Sequence, residues 1–512
     1  MRPSPQPAPN QHRGDWSTKN LAILLLLTTI AFVVMGYHPG LEDDAFYLAA
    51  IKRNLNPSLF PHDADFFRLQ FQATIFDKLI ALSVRVTHVP VAWSSLLWQL
   101  AAIFFLLHGC WRIARRFVAQ PSAQWAAVTL VALLLTIPVS GTGINLADQY
   151  LHPRTLATAL ILAAVVAVID RRLWRAGVLL AIAFSIHAIM AIFGVSFCLI
   201  LSWNLRESGS EHEPIPVGAA MLLPLGWIFE PATDAWRQAA ATRSFYFVAR
   251  WHWYEWLGIF APMVLLFAFQ WFSQHSEEDE QDQEEDFTQR ALIMSLLYFG
   301  ILQTVVGLAI MLPPALERLR PFEPMRYLHL LYLLFFLIVG ALLGRHVLNR
   351  HAWRWLVLFV PLACGMFYAQ RQMFPATAHL EWPGITPRNA WLQACAWIRG
   401  NTPTDSLFAL DPHYVELPGE DYHGFRALAE RSVLADYDKD GGMAARVPSL
   451  APRWLKEVNA QTGWQNFAPS DFQRLKKEFG VSWIVVVNNA AQDQSVMTCP
   501  YHNDQLQVCR LY

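Results

Sequence analysis

Residues 21–53 read LAILLLLTTIAFVVMGYHPGLEDDAFYLAAIKR, and the interpretation of the whole chain starts from this stretch. Residues 21–35 are almost entirely apolar, as expected of a helix that crosses a bilayer. A short turn-forming segment separates this run from three consecutive carboxylates. Carboxylates beside a membrane surface contribute little to packing, but they are well placed for proton chemistry. The first candidate catalytic residues are therefore Asp43, Asp44 and Glu42.

The residues that follow these carboxylates form a pattern that is typical of a helix. On such a helix Asp43 and Tyr47 share one face, so Tyr47 is a candidate for positioning a substrate beside the carboxylate. The alternative interpretation is structural. Acidic residues are favourable at a helix N-terminus, and the three carboxylates would then only cap a surface helix.

The composition indicates the class of protein. Of 512 residues, 54% are hydrophobic and only 15% are charged, which favours a chain that is largely embedded in a membrane. Backbone groups in lipid must be hydrogen-bonded internally, so the spans are expected to be helices. We predict a polytopic α-helical membrane protein with about 11 transmembrane helices. They are placed at 20–36, 91–110, 124–139, 154–170, 174–190, 191–205, 215–229, 255–273, 290–312, 326–344 and 353–370.

The distribution of basic residues predicts the orientation of these spans. Cytoplasmic loops carry an excess of Lys and Arg, and three predicted loops show this excess. The Pro-rich segment 1–19 is interpreted as a disordered cytoplasmic tail on the same side. The basic residues of the three loops are Arg112, Arg115, Arg116, Arg171, Arg172, Arg175, Arg345, Arg350 and Arg354.

Two further segments are predicted not to cross the membrane. In residues 71–90, charged side chains interrupt the apolar ones, which is typical of an amphipathic helix lying in the interface. The first external loop is therefore expected to cover 37–90 and to hold two interfacial helices. Residues 274–289 form an acidic cytoplasmic loop that is interpreted as a solvated linker.

The predicted external loops contain arginines, against the general bias for the cytoplasmic side. His152 and Arg154 flank Pro153, which suits the first turn of a helix, and free N–H groups beside an Arg are a ready phosphate site. The alternative is that this motif only begins an interfacial helix. The arginine excess predicts an anionic partner outside, and the further candidates for binding it are Arg243, Arg250, Arg320 and Arg326.

Asp148 precedes this motif in the same loop and is a further candidate for positioning a substrate. His187 lies inside a predicted span, where an ionisable side chain is a functional candidate by default. A neutral histidine that is hydrogen-bonded to a neighbouring helix is an equally good interpretation. The aromatic run at 251–256 is typical of the belt at a membrane interface.

The composition changes after the last predicted span, and residues 375–512 are predicted to form an extracytoplasmic soluble α/β domain. An amphipathic helical pattern covers 390–399, and apolar strand-like runs cover 407–410 and 483–487. Cys499 and Cys509 are close enough in sequence to pair, and an oxidised or a reduced pair both fit. Residues 436–442 are interpreted as a turn that lacks a full calcium-ligand spacing.

These features together resemble the GT-C superfamily of membrane glycosyltransferases, which includes protein O-mannosyltransferases and the bacterial aminoarabinose transferases. The resemblance covers most of the chain, and it rests on the architecture and on Asp43-Asp44 in the first external loop. The C-terminal domain is also similar to uncharacterised bacterial membrane proteins through its Trp397–Pro403 stretch and Phe425-Arg426.

The resemblance implies transfer of a sugar from a polyprenyl-phosphate carrier to an extracytoplasmic acceptor, with inversion at the anomeric carbon. It implies a loop carboxylate as base, for which Asp43 is the first choice, Asp44 the second, and Glu42 a residue that positions the acceptor or a metal. It also implies His152 and Arg154 at the carrier phosphate. Members differ in their need for a divalent cation. No convincing ligand set is found in this sequence, so no required metal or cofactor is expected.

The expected partners are the lipid-linked sugar, membrane lipid and an acceptor that is a lipid, a glycan or a protein; nucleic acid is not expected. The expected location is the bacterial inner membrane, with the N-terminus cytoplasmic. Two other classes of function stay open. A transporter or flippase would show internal repeats and charges near the midplane, and a non-catalytic scaffold would tolerate loss of Asp43.

Overall fold

The structure is a computed structural model that describes residues 17–67, 72–206, 231–273, 283–349, 351–417, 421–488 and 496–512. Several predictions therefore lie wholly or partly outside the described residues: most of the tail at 1–19, residues 68–71 of the loop at 37–90, the span at 215–229, residues 274–282 of the acidic loop, Arg350, and residues 418–420 and 489–495 of the C-terminal domain. The last residues of that predicted loop already belong to a helix that begins at Gln283.

The described part of the chain is mostly helical, and its first two thirds are rich in long apolar helices. Six of them are long and apolar enough to cross a bilayer: Thr18–Met35, Val91–Phe117, Trp253–Trp271, Phe287–Met311, Pro324–Leu348 and Ala352–Met373. Four shorter apolar helices accompany them, at Pro121–Leu133, Pro153–Ile169, Leu173–Ile186 and Ala188–Asn204. The lengths and compositions of these helices indicate a membrane-embedded protein.

The helices of this region are numbered in chain order. They are α1 (Thr18–Met35), α2 (Asp44–Leu55), α3 (Phe76–Thr87), α4 (Val91–Phe117), α5 (Pro121–Leu133), α6 (Pro153–Ile169), α7 (Leu173–Ile186), α8 (Ala188–Asn204), α9 (Asp234–Ala241), α10 (Trp253–Ser273), α11 (Gln283–Met311), α12 (Tyr327–Leu343) and α13 (Ala352–Met373). A short antiparallel pair, β1 (Pro138–Val139) and β2 (Ile144–Asn145), lies in the connection between α5 and α6.

Local sequence explains where several of these helices begin. The side chain of His152 accepts a hydrogen bond from the backbone N–H of Arg154, and Pro153 occupies the first turn of α6, where its missing N–H costs nothing. His187 separates α7 from α8, three residues before the predicted division, and its ring accepts from the N–H of Met190 at 3.4 Å. This histidine therefore has a capping role at a helix boundary.

The segment between α1 and α4 contains two helices, α2 and α3, of 12 residues each. They pack against each other, and α3 also packs on α4. Asp77 of α3 is fully buried and accepts a hydrogen bond of 2.8 Å from the Asn54 side chain at the end of α2. This contact fixes the two helices relative to each other, because a buried carboxylate requires a partner.

The C-terminal part of the chain is built around a sheet. Its helices are α14 (Ala390–Asn401), α15 (Phe425–Ala429), α16 (Lys439–Arg446), α17 (Ala451–Gln461) and α18 (Pro469–Phe479). Its strands are β3 (Leu407–Ala409), β4 (Ser432–Val433), β5 (Trp483–Val487), β6 (Met497–His502) and β7 (Leu506–Leu511). The order is β4-β3-β5-β7-β6; the first three strands are parallel, and β7 is antiparallel to both β5 and β6. A disulfide joins Cys499 of β6 to Cys509 of β7.

The C-terminal domain packs directly on the loop that follows α1. The N–H of Glu42 donates to the carbonyl of Tyr422, and the N–H of Gly424 donates to the carbonyl of Gly40. A Cβ on Gly424 would lie 2.2 Å from the Cβ of Ala45 in α2, so this approach requires glycine. The sequence-based prediction of a soluble domain did not include this contact, and the contact brings the domain to the predicted carboxylates.

Candidate functional site

A cavity of about 450 Å³ lies where these parts meet. Its walls come from the loop after α1, the β2–α6 connection, the start of α6, the segment before α12, the end of α13 and helix α16. The polar and charged residues that line it are Glu42, Asp43, Tyr47, Asn145, Asp148, Gln149, Tyr150, Arg154, Arg243, Arg326, Tyr422, Lys439 and Arg446. The cavity thus joins side chains from both halves of the chain.

Asp43 is the carboxylate at the centre of this arrangement. Its side chain keeps 34% of its surface exposed, and its Oδ2 lies 4.0 Å from Nε2 of His152. Its Oδ1 lies 3.8 Å from Nζ of Lys439, and its backbone N–H donates to the hydroxyl of Tyr150 at 3.3 Å. The carboxylate is therefore held between an imidazole and an ammonium group and remains open to the cavity.

These neighbours determine the protonation state of Asp43. Burial alone would raise its pKa, but the interaction with His152 and the charges of Lys439 and Arg446 outweigh burial and hold the pKa well below its usual range. Asp43 is therefore ionised at neutral pH. It can accept a hydrogen bond from a hydroxyl group that enters the cavity.

His152 is oriented by the start of α6. Its Nδ1 accepts the backbone N–H of Arg154 at 2.9 Å, so the proton of the neutral ring is on Nε2, which faces Asp43. Burial lowers the pKa of His152, which keeps the ring neutral. The ring packs edge-on against Tyr47, with centroids 4.9 Å apart. Residues on two elements thus fix the N–H that points towards the carboxylate.

Arg154 and Asp148 form a buried ion pair in the wall of the cavity. The Nη2 of Arg154 lies 2.6 and 2.5 Å from the two carboxylate oxygens of Asp148, and the arginine side chain is 1% exposed. The Nε and Nη1 atoms of Arg154 are buried and make no hydrogen bond within the described part of the chain. Donors that are unsatisfied in this way are costly, which favours a ligand that accepts from them.

Four more cations surround the cavity, and each also contacts a carboxylate. Arg243 lies 2.8 Å from Asp438, Arg446 lies 2.6 Å from Glu323, and Lys439 pairs with Glu42. Arg326 pairs with the same Glu323. Among the described residues that line the cavity, five cations outnumber the three carboxylates Glu42, Asp43 and Asp148. Asp438 and Glu323, which are not in the lining, offset this charge in part, so the preference for an anionic ligand rests on the cations that face the cavity and on the unsatisfied donors of Arg154.

Some predicted site residues lie elsewhere. Arg250 and Arg320 do not line this cavity; they line a neighbouring one of about 230 Å³, and both guanidinium groups stack on the ring of Phe247. His187 also does not line the cavity, and its ring lies 6.2 Å from that of His152. The sequence could not separate these residues from the others because it does not show which connections between the helices converge.

Asp44 is also excluded from the cavity wall. Its side chain is buried and points to the opposite side of the loop, where it accepts a hydrogen bond of 2.6 Å from the N–H of Gly40. Burial raises its pKa to about 7, although Gly40, Lys52 and His423 lower it. Asp44, the second candidate for the base, therefore does not line the cavity, whereas its neighbours Glu42 and Asp43 do.

Two cavity cations, Lys439 and Arg446, are not among the site residues predicted from the sequence; they are the first and last residues of α16. Residues 436–442 were interpreted as a turn, whereas the helix begins at Lys439. Four residues of this helix line the cavity at the spacing of one helical face. That spacing was the available signal, and it comprises Lys439, Gly442, Met443 and Arg446.

Comparison with known proteins gives a match to a protein-family model. A family model described as a domain of unknown function (DUF6798) matches residues 389–447, which include α14, α15 and α16. No curated protein matches the chain. The matched segment therefore contains both cations that α16 contributes to the cavity, but it covers a minor part of the protein.

Proposed function

We propose that this protein is a GT-C-like membrane glycosyltransferase, which transfers a sugar from a polyprenyl-phosphate carrier to an extracytoplasmic acceptor. The observation that carries the proposal is the convergence of Asp43 and Arg154 on one cavity in which cations are in excess. The proposal includes about 11 spans, an inner-membrane location and a cytoplasmic N-terminus, as the positive-inside rule predicts.

The orientation is supported by the two ends of α6. Arg116 of α4 lies 2.7 Å from Asp170, which caps the far end of α6, and both belong to the basic cytoplasmic side predicted from sequence. His152 and Arg154, at the near end of α6, are at the cavity. The Cys499–Cys509 disulfide supports the same orientation, because disulfides persist in oxidising compartments.

The charge of the cavity suits a carrier phosphate. Sugar transfer converts a phosphodiester into a phosphomonoester, so negative charge grows on the departing phosphate as the bond to the sugar breaks. Arg154 offers two unsatisfied N–H donors, and Arg446 and Arg326 share a single carboxylate, Glu323. Preorganised cations of this kind stabilise a developing charge without having to reorganise.

Asp43 takes the role of the base. The acceptor hydroxyl oxygen attacks the anomeric carbon, the bond from that carbon to the phosphate oxygen breaks, and its electron pair stays on the phosphate. The hydroxyl proton passes to Asp43. A very low pKa makes a weak base, but an anionic phosphate beside Lys439 and Arg446 offsets the charges that lower this pKa. Donor binding would thereby activate the carboxylate.

The test is a transfer assay on the full-length protein in membranes, with a panel of radiolabelled polyprenyl-phosphate sugars as donors. The Asp43→Asn variant keeps the shape of the site but cannot accept the proton. We expect its transfer rate to be lower by about 10²- to 10⁴-fold, the usual contribution of a general base. The matched control is Asp234→Asn, which changes an external carboxylate that is 93% exposed.

Unchanged transfer by the Asp43→Asn variant would remove this residue as the base. Absence of transfer by the parent protein with every donor would contradict the enzymatic proposal. It would then favour the scaffold interpretation, which tolerates loss of Asp43. A loss in the Asp234→Asn control equal to that in Asp43→Asn would assign the effect to general damage and would also count against the proposal.

A further inference from the structure

A second cluster of polar side chains lies outside the cavity wall, between the first external loop and the C-terminal domain. The Nδ1 of His38 lies 2.7 Å from Oε1 of Glu381. The Nε2 of His423 lies 3.0 Å from Oε1 and 3.2 Å from Oε2 of the same carboxylate. One ligand-type atom from each of the three residues falls within 4.8 Å of the other two.

The three side chains of this cluster are largely shielded from solvent, and further polar atoms lie beside them. The side chains of His38 and His423 are fully buried, and that of Glu381 is 14% exposed. The second ring nitrogen of His38, Nε2, is buried and makes no hydrogen bond within the described residues. The hydroxyl of Thr377 lies 3.5 Å from Nδ1 of His38, so a further oxygen is within reach of the cluster.

We propose that His38, Glu381 and His423 form a binding site for a divalent transition-metal ion of the zinc type. Two imidazoles and one carboxylate are a ligand set that zinc accepts, with a fourth position for water or a hydroxyl. The fourth ligand would come from water or from Thr377. With metal–ligand distances of about 2.0–2.2 Å, the ligand atoms would separate to roughly 3.3 Å, a small expansion from the contacts seen.

The proposed metal ion would join three segments that are distant in sequence. His38 belongs to the loop after α1, Glu381 to the connection between α13 and α14, and His423 to the C-terminal domain. Its ligands adjoin the cavity, since the cavity residue Phe374 packs against His38 with ring centroids 4.8 Å apart and the cavity residue Tyr422 precedes His423. The ion would therefore hold the C-terminal domain against the loop that carries Asp43. This role is independent of the proposed enzymatic function.

No sequence motif indicates this site, because no two of its ligands have a metal-binding spacing. His38 and Glu381 are 343 residues apart, and Glu381 and His423 are 42 apart. The expectation that no metal is required came from the absence of such a spacing. A site assembled from three separate segments is invisible to a search for short motifs.

The test uses the full-length protein, purified in detergent and dialysed against a weak chelator. We expect about one equivalent of zinc per chain by inductively coupled plasma mass spectrometry. We also expect a strong chelator to lower the melting temperature by several degrees and added Zn²⁺ to restore it. His423→Asn and Glu381→Gln should lose the zinc and the response of the melting temperature.

The matched control is His413→Asn. His413 also lies near a carboxylate, Glu416 at 3.8 Å, but its side chain is 48% exposed. This variant should keep the zinc. Less than a tenth of an equivalent of zinc in the parent protein, together with no response of its melting temperature to Zn²⁺, would overturn the proposal. Equal losses in the His413 and His423 variants would overturn it as well, since they would indicate adventitious surface binding.

A second measurement needs no variant and so does not depend on whether the variants fold. Co²⁺ replaces the metal in the parent protein after the strong chelator has been removed, and the visible absorption spectrum is recorded. Ligation by two imidazoles and a carboxylate in a four-coordinate site should give intense ligand-field bands. A spectrum equal to that of Co²⁺ in buffer would contradict the site.

Discussion

Asp43 and Asp44 are adjacent in sequence, but the two carboxyl groups lie in different environments. Asp43 opens into a cavity lined with cations and is ionised, whereas Asp44 is buried on the other side of the loop with a pKa raised to about 7. The sequence predicted that this short acidic motif is important, and it ranked Asp43 first. It could not predict that Asp43 lines the cavity while Asp44 is buried. This difference depends on the contacts of α2 with Gly40 and of the preceding loop with the C-terminal domain.

The raised pKa of Asp44 leads to a prediction about stability. The pKa in the unfolded chain is near 3.8, so between pH 4 and 7 the folded protein holds one more proton than the unfolded chain at this group. The contribution of Asp44 to stability is therefore largest at low pH, falls as the pH rises through this window and is level above pH 7. Each unit of difference between the folded and unfolded pKa of Asp44 changes the free energy of unfolding by about 1.4 kcal/mol.

The Asp44→Asn variant removes this dependence and keeps an oxygen that accepts from Gly40. We expect its melting temperature to vary less between pH 5 and 8 than that of the parent protein, and to exceed it at pH 8. Thermal unfolding across this range measures both effects, with Asp405→Asn, an exposed carboxylate, as the control. Parallel pH profiles for the parent and Asp44→Asn would show that Asp44 does not carry this proton.

At the scale of single elements, α6 and α16 contribute three of the cations that line the cavity, and they differ in how well the sequence predicted them. For α6, the His-Pro-Arg motif predicted the start of the helix and the cation beside it, and both are present. For α16, the acidic and glycine-rich composition of 436–442 suggested a turn. Tertiary contacts favour the helix instead, since Asp440 accepts from Arg426 and the ring of Trp454 packs close to Gly441.

Gly442 is the residue of α16 whose substitution tests the role of this helix. A Cβ at this position would lie 2.7 Å from Nε of Arg243, so Gly442→Ala should displace that guanidinium from Asp438. Alanine favours a helix over glycine by about 1 kcal/mol, so the helix itself should not be weakened. We expect roughly tenfold weaker binding of undecaprenyl phosphate, measured by native mass spectrometry.

The control for this prediction is Gly400→Ala in α14, where a Cβ would meet nothing within 4 Å. This variant should bind undecaprenyl phosphate as the parent protein does. If Gly442→Ala also binds like the parent protein, Arg243 has no part in holding the anion. Only some of the cations that line the cavity would then bind the anion.

At the scale of the whole molecule, the C-terminal domain completes the site of the membrane region. The sequence predicted apolar helices followed by an α/β domain, because periodicity and hydropathy are local properties. It could not predict that the domain docks on the segment between α1 and α4. That contact depends on pairs such as Arg426 with Asp63, which are 363 residues apart and buried together.

The Arg426→Ala variant tests how much this ion-pair network stabilises the packing of the C-terminal domain on the rest of the protein. Its guanidinium contacts Asp63, which lies between α2 and α3, and is 2.8 Å from Asp440 of α16, and all three side chains are almost fully buried. Arg426→Ala leaves two buried carboxylates without their cation, which costs about 3–5 kcal/mol. We expect a lower melting temperature and faster proteolysis of the C-terminal domain.

The matched control is Arg399→Ala, whose guanidinium is 51% exposed and 3.7 Å from Glu430. A surface pair of this kind contributes about 1 kcal/mol or less, so the control should resemble the parent protein. Proteolysis at the parental rate in Arg426→Ala would mean that the domain is held by other contacts. The docking would then not depend on this ion-pair network.

In the proposed function, the cavity binds the phosphate of a polyprenyl carrier beside Asp43. The most direct measurement is native mass spectrometry of the full-length protein with undecaprenyl phosphate and, separately, with undecaprenol. The parent protein should bind one phosphate-bearing lipid more tightly than the alcohol. Arg446→Gln, which changes a cavity cation, should weaken that binding about tenfold, and Arg250→Gln, which lies in the neighbouring cavity, should not. Equal binding of the phosphate and the alcohol, or equal losses in the two variants, would contradict the claim.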